Sequence, residues 1–377
     1  MEFKVQKKDI LKGLERTLTV VERRNTMPSL NHSLIEVKDN QVQISATDLE
    51  IFVSSSVPCQ TLETGRIAIP AKAVFEIVKE CQADSDVIHF KETDGHKIEI
   101  KAGKSLFKIL GLSSDSFPHF KTSPKGQLTT AKLSCSSFLK LLQKTEHAVC
   151  NEEIRYFLTG IYLETIETKD GPVIRAVSTD GHRLALQDVL QSEIGTLQLK
   201  KGLIIPKKGA TELRKLLEST SEETFEFICD DNLIKVNVAD HNLWIRPIDG
   251  EFPDYKRVIP QNLTSYLEVE KRDLAASLRR MSLLVSDRSK VVSFDFRKDR
   301  VVFSTINPDI GEATDEVPVK YMGEEFKTGF NVRFFTEALA NLDGEDIKVQ
   351  VGEKLLPALL SSESNPGYQI VIMPMRI

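Results

Sequence analysis

Apolar residues recur at helical spacing in six separate stretches of the chain, and the stretches form two interleaved series. In Asp9 to Arg23, the side chains of Ile10, Leu11, Leu14, Leu18 and Val21 share one face; Phe138, Leu141 and Leu142 do so in Ser134 to Cys150, and Leu274, Leu278 and Met281 in Glu270 to Ser286. Polar residues fill the opposite faces, so each stretch reads as an amphipathic helix. The second series, Pro70 to Gln82, Pro206 to Thr220 and Asn331 to Leu342, keeps step with the first: 136 residues separate Pro70 from Pro206, and 125 separate Pro206 from Asn331. Behind each helix lie alternating runs that read as strands. After the first series they end at comparable turns, in QISATDLEI (43–51), IRAVSTDGHRLAL (174–186) and VVFSTINPDIGEA (301–313). The second series is followed by meanders such as TFEFICDDNLIKVNVADHNLWIRPI (224–248).

The pattern predicts an α+β chain of three repeats, each doubled into two units of one helix plus a strand meander. A length of 377 residues alone suggests two to three domains, and the repeat selects three. Linkers are expected at KTSPKGQ (121–127) and VIPQNLTS (258–265), each following a matching Phe-Pro pair, Phe117-Pro118 and Phe252-Pro253. The domains are accordingly set at 1–124, 128–257 and 264–377.

Composition narrows the class. With 41% hydrophobic and 28% charged residues the chain can bury substantial cores. No apolar run reaches the roughly 18 to 20 residues of a membrane helix, and MEFKVQKKDI lacks the apolar stretch of a signal peptide, so a cytoplasmic location is expected. The five cysteines are scattered without a C-x-x-C pair and read as reduced, small apolar residues.

Enzyme chemistry finds little support. AGKS (102–105) resembles the end of a phosphate-binding loop, but Ile98 stands where that loop needs its first glycine, and a hairpin turn fits better. The seven histidines show no H-x-x-x-H spacing for zinc. Ser178, Asp180 and His182 crowd a nucleophile, an acid and a base into five residues, whereas triads recruit groups from separate elements. The structural alternative is a tight Asp-Gly turn in which Asp180 bonds local amides. No metal, nucleotide or prosthetic group is called for.

The strings RRNTMPSL (23–30), ATDLEI (46–51), RYFLTG (155–160), STDGHRLAL (178–186), GEFPDYKRVIP (250–260), FNVRF (330–334) and MPMRI (373–377) occur in order along the whole chain. In these the sequence resembles the bacterial DNA polymerase III beta subunit, the replicative sliding clamp. The resemblance implies a ring of six similar domains, closed by two chains joined head to tail, with helices lining the hole and strands forming the outer layer. Phe107, Leu283 and Leu284 would lie at the boundary between chains. It also implies a non-catalytic processivity factor that encircles double-stranded DNA without sequence specificity. A clamp loader would place it on DNA, and it would tether the replicative polymerase alpha subunit, other polymerases and repair proteins.

A net charge of −5 does not conflict with this, because the potential near DNA depends on which face carries the cations. Lys8, Lys12, Arg16, Arg23 and Arg24 cluster at the first helix, Lys140 and Lys144 at the third, Lys207, Lys208, Arg214 and Lys215 at the fourth, and Lys271, Arg272, Arg279 and Arg280 at the fifth. The sixth has only Arg333. Few, exchangeable phosphate contacts suit a sliding protein, with retention supplied by topology. By resemblance Arg24, Tyr156 and Phe157 touch DNA, while Asn151-Glu152-Glu153 would repel phosphate and no contact is assigned to Glu152.

The family also holds partner peptides in an apolar cleft between its second and third domains. The matching positions are Leu158, Thr179, Gly181, His182, Arg183, Leu184, Pro253, Arg257 and Val258, then Asn331, Phe334, Leu355, Pro357, Val371, Met373, Pro374, Met375 and Arg376. An exposed tail bearing Met373 and Met375 would supply adaptable side chains for varied ligands. Two positions depart from relatives: Phe334 stands where some have tyrosine, and Pro357 replaces a small polar residue. The alternatives carried forward are a repeat scaffold that binds peptides without encircling DNA, and an enzyme using Asp180 and His182.

Overall fold

The computed structural model describes residues 1–21, 27–81, 87–120, 128–261, 263–286, 290–352 and 356–377. Six long helices appear where the apolar periodicity placed them: α1 (Lys7–Leu18), α2 (Ala71–Glu80), α3 (Cys135–Thr145), α5 (Lys207–Ser219), α6 (Lys271–Ser282) and α7 (Val332–Asn341), with a one-turn α4 at Gln191–Ile194. All six are shorter than expected, since the apolar pattern runs on into turns that pack on the same core. Ala148, beyond the end of α3, lies in a 3-10 turn and is fully buried. Asn331 starts α7 by accepting a hydrogen bond from the Arg333 amide at 3.0 Å, satisfying one of the free N–H groups of the first turn.

Strand meanders follow each long helix. His32–Lys38 and Gln41–Thr47 form a hairpin across Asp39 and Asn40, whose φ values of 51° and 58° suit the two-residue turn that matches strand twist. The AGKS segment is likewise a hairpin turn, with Ala102 opposite Ser105 and Gly103 at φ 56°.

The described residues form two compact units. The first comprises Met1–Ser136, Gly195–Leu197 and Thr211–Pro247; the second comprises Ser137–Ile194, Gln198–Ala210 and Ile248–Ile377. These divisions cut through the middle repeat because its two strand sets pair with different neighbours. Each unit contains one nine-stranded sheet. In the first unit, Ile51–Pro58 pairs antiparallel with His241–Ile245, from Ser55 opposite His241 to Ile51 opposite Ile245. In the second, Arg183–Leu190 pairs with Tyr368–Ile372, from Gln187 opposite Tyr368 to Arg183 opposite Ile372.

The two seams obey one rule: the third strand after a repeat's first helix pairs with the third strand after the next repeat's second helix. Their turns match atom for atom. Thr47 Oγ1 donates to the Ile51 carbonyl at 2.7 Å and Thr179 Oγ1 to that of Arg183 at 2.6 Å, while Arg246 N–H donates to Glu50 O at 3.0 Å and Met373 N–H to His182 O at 2.9 Å. The rule leaves two strands over. Ser105–Leu110 ends a five-stranded sheet of the first unit, and Gly311–Pro318 ends a four-stranded sheet of the second.

Separate cores sit under these sheets. In the first unit Phe3 stacks on Phe90 at 4.8 Å, within a cluster that includes Ile10, Leu14, Val74 and Val78. In the second, Phe294 packs edge-on against Phe303 and Phe330 at 4.8 and 5.1 Å. A further cluster gathers Leu158, Leu184, Phe252, Tyr255 and Val371 beneath the second seam.

Candidate functional site

The turn from Thr179 to Arg183 is fixed by its own side chains. Asp180 Oδ1 accepts from the amides of His182 and Arg183 at 2.9 and 3.0 Å, and the Gly181 amide donates to Thr179 Oγ1 at 3.1 Å. Gly181 sits at φ 86°, and a Cβ there would come within 2.6 Å of Arg155 Nη1, which donates to the Asp180 carbonyl at 2.8 Å. Ser178 is fully buried and donates to the Thr145 carbonyl. Asp180 is therefore committed to the amides of the turn, as the structural alternative expected, while the Ser178 hydroxyl is spent on the Thr145 carbonyl and the His182 ring lies beside Phe334.

Arg183 is 8% exposed and anchors the site. Its Nε pairs with Asp180 at 3.1 Å, Nη1 bonds Glu337, Nη2 donates to the His147 carbonyl at 2.6 Å, and its guanidinium lies over the Phe334 ring at 4.6 Å. On the outer side the His182 ring runs nearly parallel to Phe334, with centroids 6.5 Å apart. Burial raises the Glu337 carboxyl, but hydrogen bonds from Arg333 and Arg183 outweigh it and hold the group below the usual carboxylate range. Burial, reinforced by the nearby Arg183 charge, pushes His147 down to about 4.

The C-terminal segment completes the wall. Val371 pairs opposite Leu184, both buried, so these two form the floor. Met373 is held to His182 and Met375 donates to the Gly329 carbonyl at 2.8 Å. A Cβ on Gly329 would lie 2.8 Å from the Met375 carbonyl, so glycine permits this approach. The tail is thus a half-buried, tied strand end through Met375, a correction to the expectation of an exposed tail. Only Arg376 and Ile377 are exposed within it.

The remaining predicted positions fall in the same unit. Leu158 is buried in the floor cluster and Val258 packs against it half-buried; Pro253 and Arg257 are exposed, with Arg257 paired to Asp254 at 2.8 Å. Asn331 is buried as the α7 cap, and Phe334 and Pro357 are half-buried. Leu355 lies outside the described residues. The linker that bears Arg257 is pinned by Tyr255: Arg175 Nη1 donates to its hydroxyl at 3.1 Å, and that hydroxyl donates to Glu164. Arg175 in turn grips both Asp188 oxygens at 2.6 and 2.7 Å.

Sequence reasoning missed Glu337, His147, Arg155 and the Tyr255 network. Two of them carried a local signal: Glu337 in its four-residue spacing from Arg333, to which it is bonded at 2.6 Å, and Arg155 in its three-residue spacing from Glu152.

Of the other predicted positions, Tyr156 is 54% exposed and Phe157 is half-buried, the two rings meeting edge-on at 5.7 Å. Glu152 is bonded to Arg155 at 2.8 Å. Arg24 lies outside the described residues. Phe107 is half-buried on the unpaired edge strand of the first unit, flanked by exposed Leu106 and Leu110. Leu283, 79% exposed, and half-buried Leu284 follow α6 in the second unit.

Family profiles match nearly the whole chain in three consecutive parts: DNA polymerase III beta subunit N-terminal domain over residues 1–121, central domain over 132–254 and C-terminal domain over 256–376. A beta sliding clamp of Caulobacter vibrioides is 31% identical over 377 residues, and one of Pseudomonas putida is 30% identical over 378, all of each chain being covered. Among solved structures, Caulobacter crescentus pol III beta superposes over the full length of both chains with a TM-score of 0.94 at 30% identity. A sliding clamp (DNA polymerase III subunit beta) from Bartonella birtlesii bound to griselimycin does so with 0.93 at 31%.

Proposed function

The chain belongs to the DNA polymerase III beta subunit family, the beta sliding clamps, and from that premise we propose that two copies close head to tail into a ring that encircles duplex DNA and holds the replicative polymerase to it. The protein acts as a non-catalytic processivity factor. Its three domains correspond to 1–124, 128–257 and 264–377, and it works in the cytoplasm; no helix among the described residues is long and apolar enough to cross a membrane.

The observation that carries ring closure is the seam rule. Two seams are made within the chain, and a third pairing of the same kind requires Gly311–Pro318 of one copy and Ser105–Leu110 of another. Two copies joined twice in this way satisfy every repeat and leave neither edge exposed. Phe107, Leu283 and Leu284 fall beside that junction.

The Thr179–Leu184 turn, the linker around Arg257 and Val258, and the tied Met373–Met375 segment form the docking cleft for partner peptides. A buried apolar floor beside a half-exposed Phe334 suits an anchor side chain that inserts and is replaced in turn. Griselimycin is the ligand of the Bartonella relative. In this chain the cleft would serve the polymerase alpha subunit, the clamp loader, other polymerases and repair proteins. On the DNA side, Arg24, Tyr156 and Phe157 make the few contacts a sliding ring needs, without reading bases.

Loading onto nicked circular DNA tests this reading. Retention through high salt, followed by release when the circle is linearised, is the expected result; equal retention on circular and linear DNA would contradict topological binding.

A further inference from the structure

The two seams share a register but not a surface. At the second, Leu184 faces Val371 and Val371 faces Leu359, an apolar row that continues to Met373. The same places at the first seam hold Phe52, Trp244, Lys235 and Arg246, since Phe52 faces Trp244 and Trp244 faces Lys235. Arg246 corresponds to Met373 because each N–H binds the carbonyl of the matching turn residue, Glu50 or His182. One row is apolar throughout; the other is two rings and two cations.

Phe120 joins the aromatic row from the chain just beyond Phe117-Pro118. Its ring stacks on Phe52 at 5.5 Å, and Phe52 meets Trp244 edge-on at 5.1 Å. The Arg246 guanidinium lies over Phe120 at 5.1 Å and the Lys235 ammonium over Trp244 at 5.5 Å. The residue at the matching place of the second linker is Tyr255, which is 4% exposed with its hydroxyl bonded, so it serves only to pin that linker. Phe120 and Phe52, by contrast, stay half-buried, and Arg246 is exposed. Neither Lys235 nor Arg246 pairs with a carboxylate among the described residues; each is held by a ring alone. Stacking occupies the flat face of a guanidinium and leaves its in-plane N–H donors free. The adjoining turn also departs from its counterpart. Leu49 stands where the other turn has Gly181, at φ 81° and 40% exposed, a left-handed conformation that is strained for leucine and not for glycine. Strain of this kind is found where an exposed side chain is put to use.

We propose that this face of the first seam is a second docking surface, for an acidic peptide segment that carries an aromatic residue. The ring of the peptide packs against Phe52 and Phe120, and its flanking carboxylates pair with Arg246 and Lys235. Two cations beside the exposed Glu50 and Leu49 suit a short acidic peptide better than a nucleic-acid strand, whose successive phosphates Glu50 would repel. The comparison of the seams rests on reading the second as a peptide cleft, and the experiment keeps the two sites apart.

The full-length protein is titrated against fluorescein-labelled Asp-Asp-Phe-Asp-Asp and read by anisotropy. The parent and Phe334→Ala should bind it equally, with a dissociation constant below about 1 mM. Affinity should fall by at least about tenfold in Arg246→Glu, and likewise when Asn replaces every Asp of the peptide or Ala its Phe. Lys320→Glu, the same change of charge elsewhere, should stay within about twofold. A polymerase peptide that binds Arg246→Glu as tightly as the parent shows that the variant is folded. Should that peptide fail to bind the parent, the reading of the second cleft falls while the acidic peptide still decides the first seam. No saturable binding up to about 1 mM would overturn the proposal, as would equal binding of the acidic and neutral peptides or equal losses in Arg246→Glu and Lys320→Glu. Binding abolished in Phe334→Ala would place the peptide in the second cleft instead. A hold on oligothymidylate at least about tenfold tighter, lost in Arg246→Glu, would assign the face to single-stranded nucleic acid and overturn it as well.

Discussion

Arg183 covers the inner face of Phe334, its guanidinium carbon 4.6 Å from the ring centroid, while its three nitrogens are spent on Asp180, Glu337 and the His147 carbonyl. A ring held this way is presented to the cleft in one orientation, which reduces the ordering cost of binding. Cation–π attraction contributes about 0.5–2 kcal/mol to that placement.

Phe334→Ala should therefore weaken partner-peptide binding by about 10- to 100-fold, or roughly 1.4–3 kcal/mol. Fluorescence anisotropy with a labelled polymerase peptide measures it. Phe334→Tyr keeps the ring and should stay within about threefold of the parent, because the added hydroxyl leaves the stacked face intact. An alanine variant with parental affinity would remove Phe334 from the cleft.

His147 makes stability sensitive to mild acid. Its proton affinity is depressed from 6.5 to about 4, first by burial and then by Arg183, so between those values the unfolded chain binds the proton more readily. Its contribution is present above pH 6.5 and is lost as pH falls from 6.5 through about 4, on the order of 3 kcal/mol in full. Glu337 and Asp343, also held below their ordinary values, act at lower pH, so the interval from pH 7 to 5 isolates the histidine. Urea unfolding should show the parent losing stability over that interval and His147→Gln losing much less. Parallel profiles would refute the assignment.

Tyr255 tests how the linker is held. Its hydroxyl is shared by Arg175 and Glu164, and Tyr255→Phe leaves a buried donor and a mostly buried carboxylate short of one bond each. The expected loss is about 1–3 kcal/mol in urea unfolding at pH 7.5. A change below about 0.5 kcal/mol would show that Lys256, 3.9 Å from Glu164, takes over the role.

What was legible in the sequence followed from local periodicity. Leu274, Leu278 and Met281 marked α6 because helical spacing and burial coincide there. The Asp180 turn was legible because its side chain bonds amides only two and three residues away. The Arg183 cluster was not: His147 and Glu337 lie 36 and 154 residues off, and no local pattern encodes a pairing across repeats. Nor did periodicity reveal that the middle repeat would divide between two units, since that depends on which strand edge meets which. Met375 misled for a related reason, as its bond to Gly329 is long-range and invisible in a terminal string.

The unpaired edges give the most direct prediction. Leu283 exposes 79% of its surface, and the edge strand Ser105–Leu110 carries Leu106 and Leu110 at 52% and 64%, apolar positions with nothing over them in the single chain. Placing a carboxylate at Leu283 should leave the isolated chain's stability within about 0.5 kcal/mol, because an exposed site loses no packing. At a closed junction the same charge would be buried without a partner, a cost of several kcal/mol counted twice around a twofold ring. Leu283→Asp is thus expected to scatter light as a 42.4 kDa monomer at micromolar concentration, where the parent has twice that mass. It should lose retention on circular DNA while binding partner peptides with parental affinity, since Leu283 lies on a different element from the Thr179–Leu184 cleft. A Leu283→Asp protein that stays dimeric would place the junction elsewhere, and one that is monomeric yet still retained on circular DNA would separate retention from ring closure.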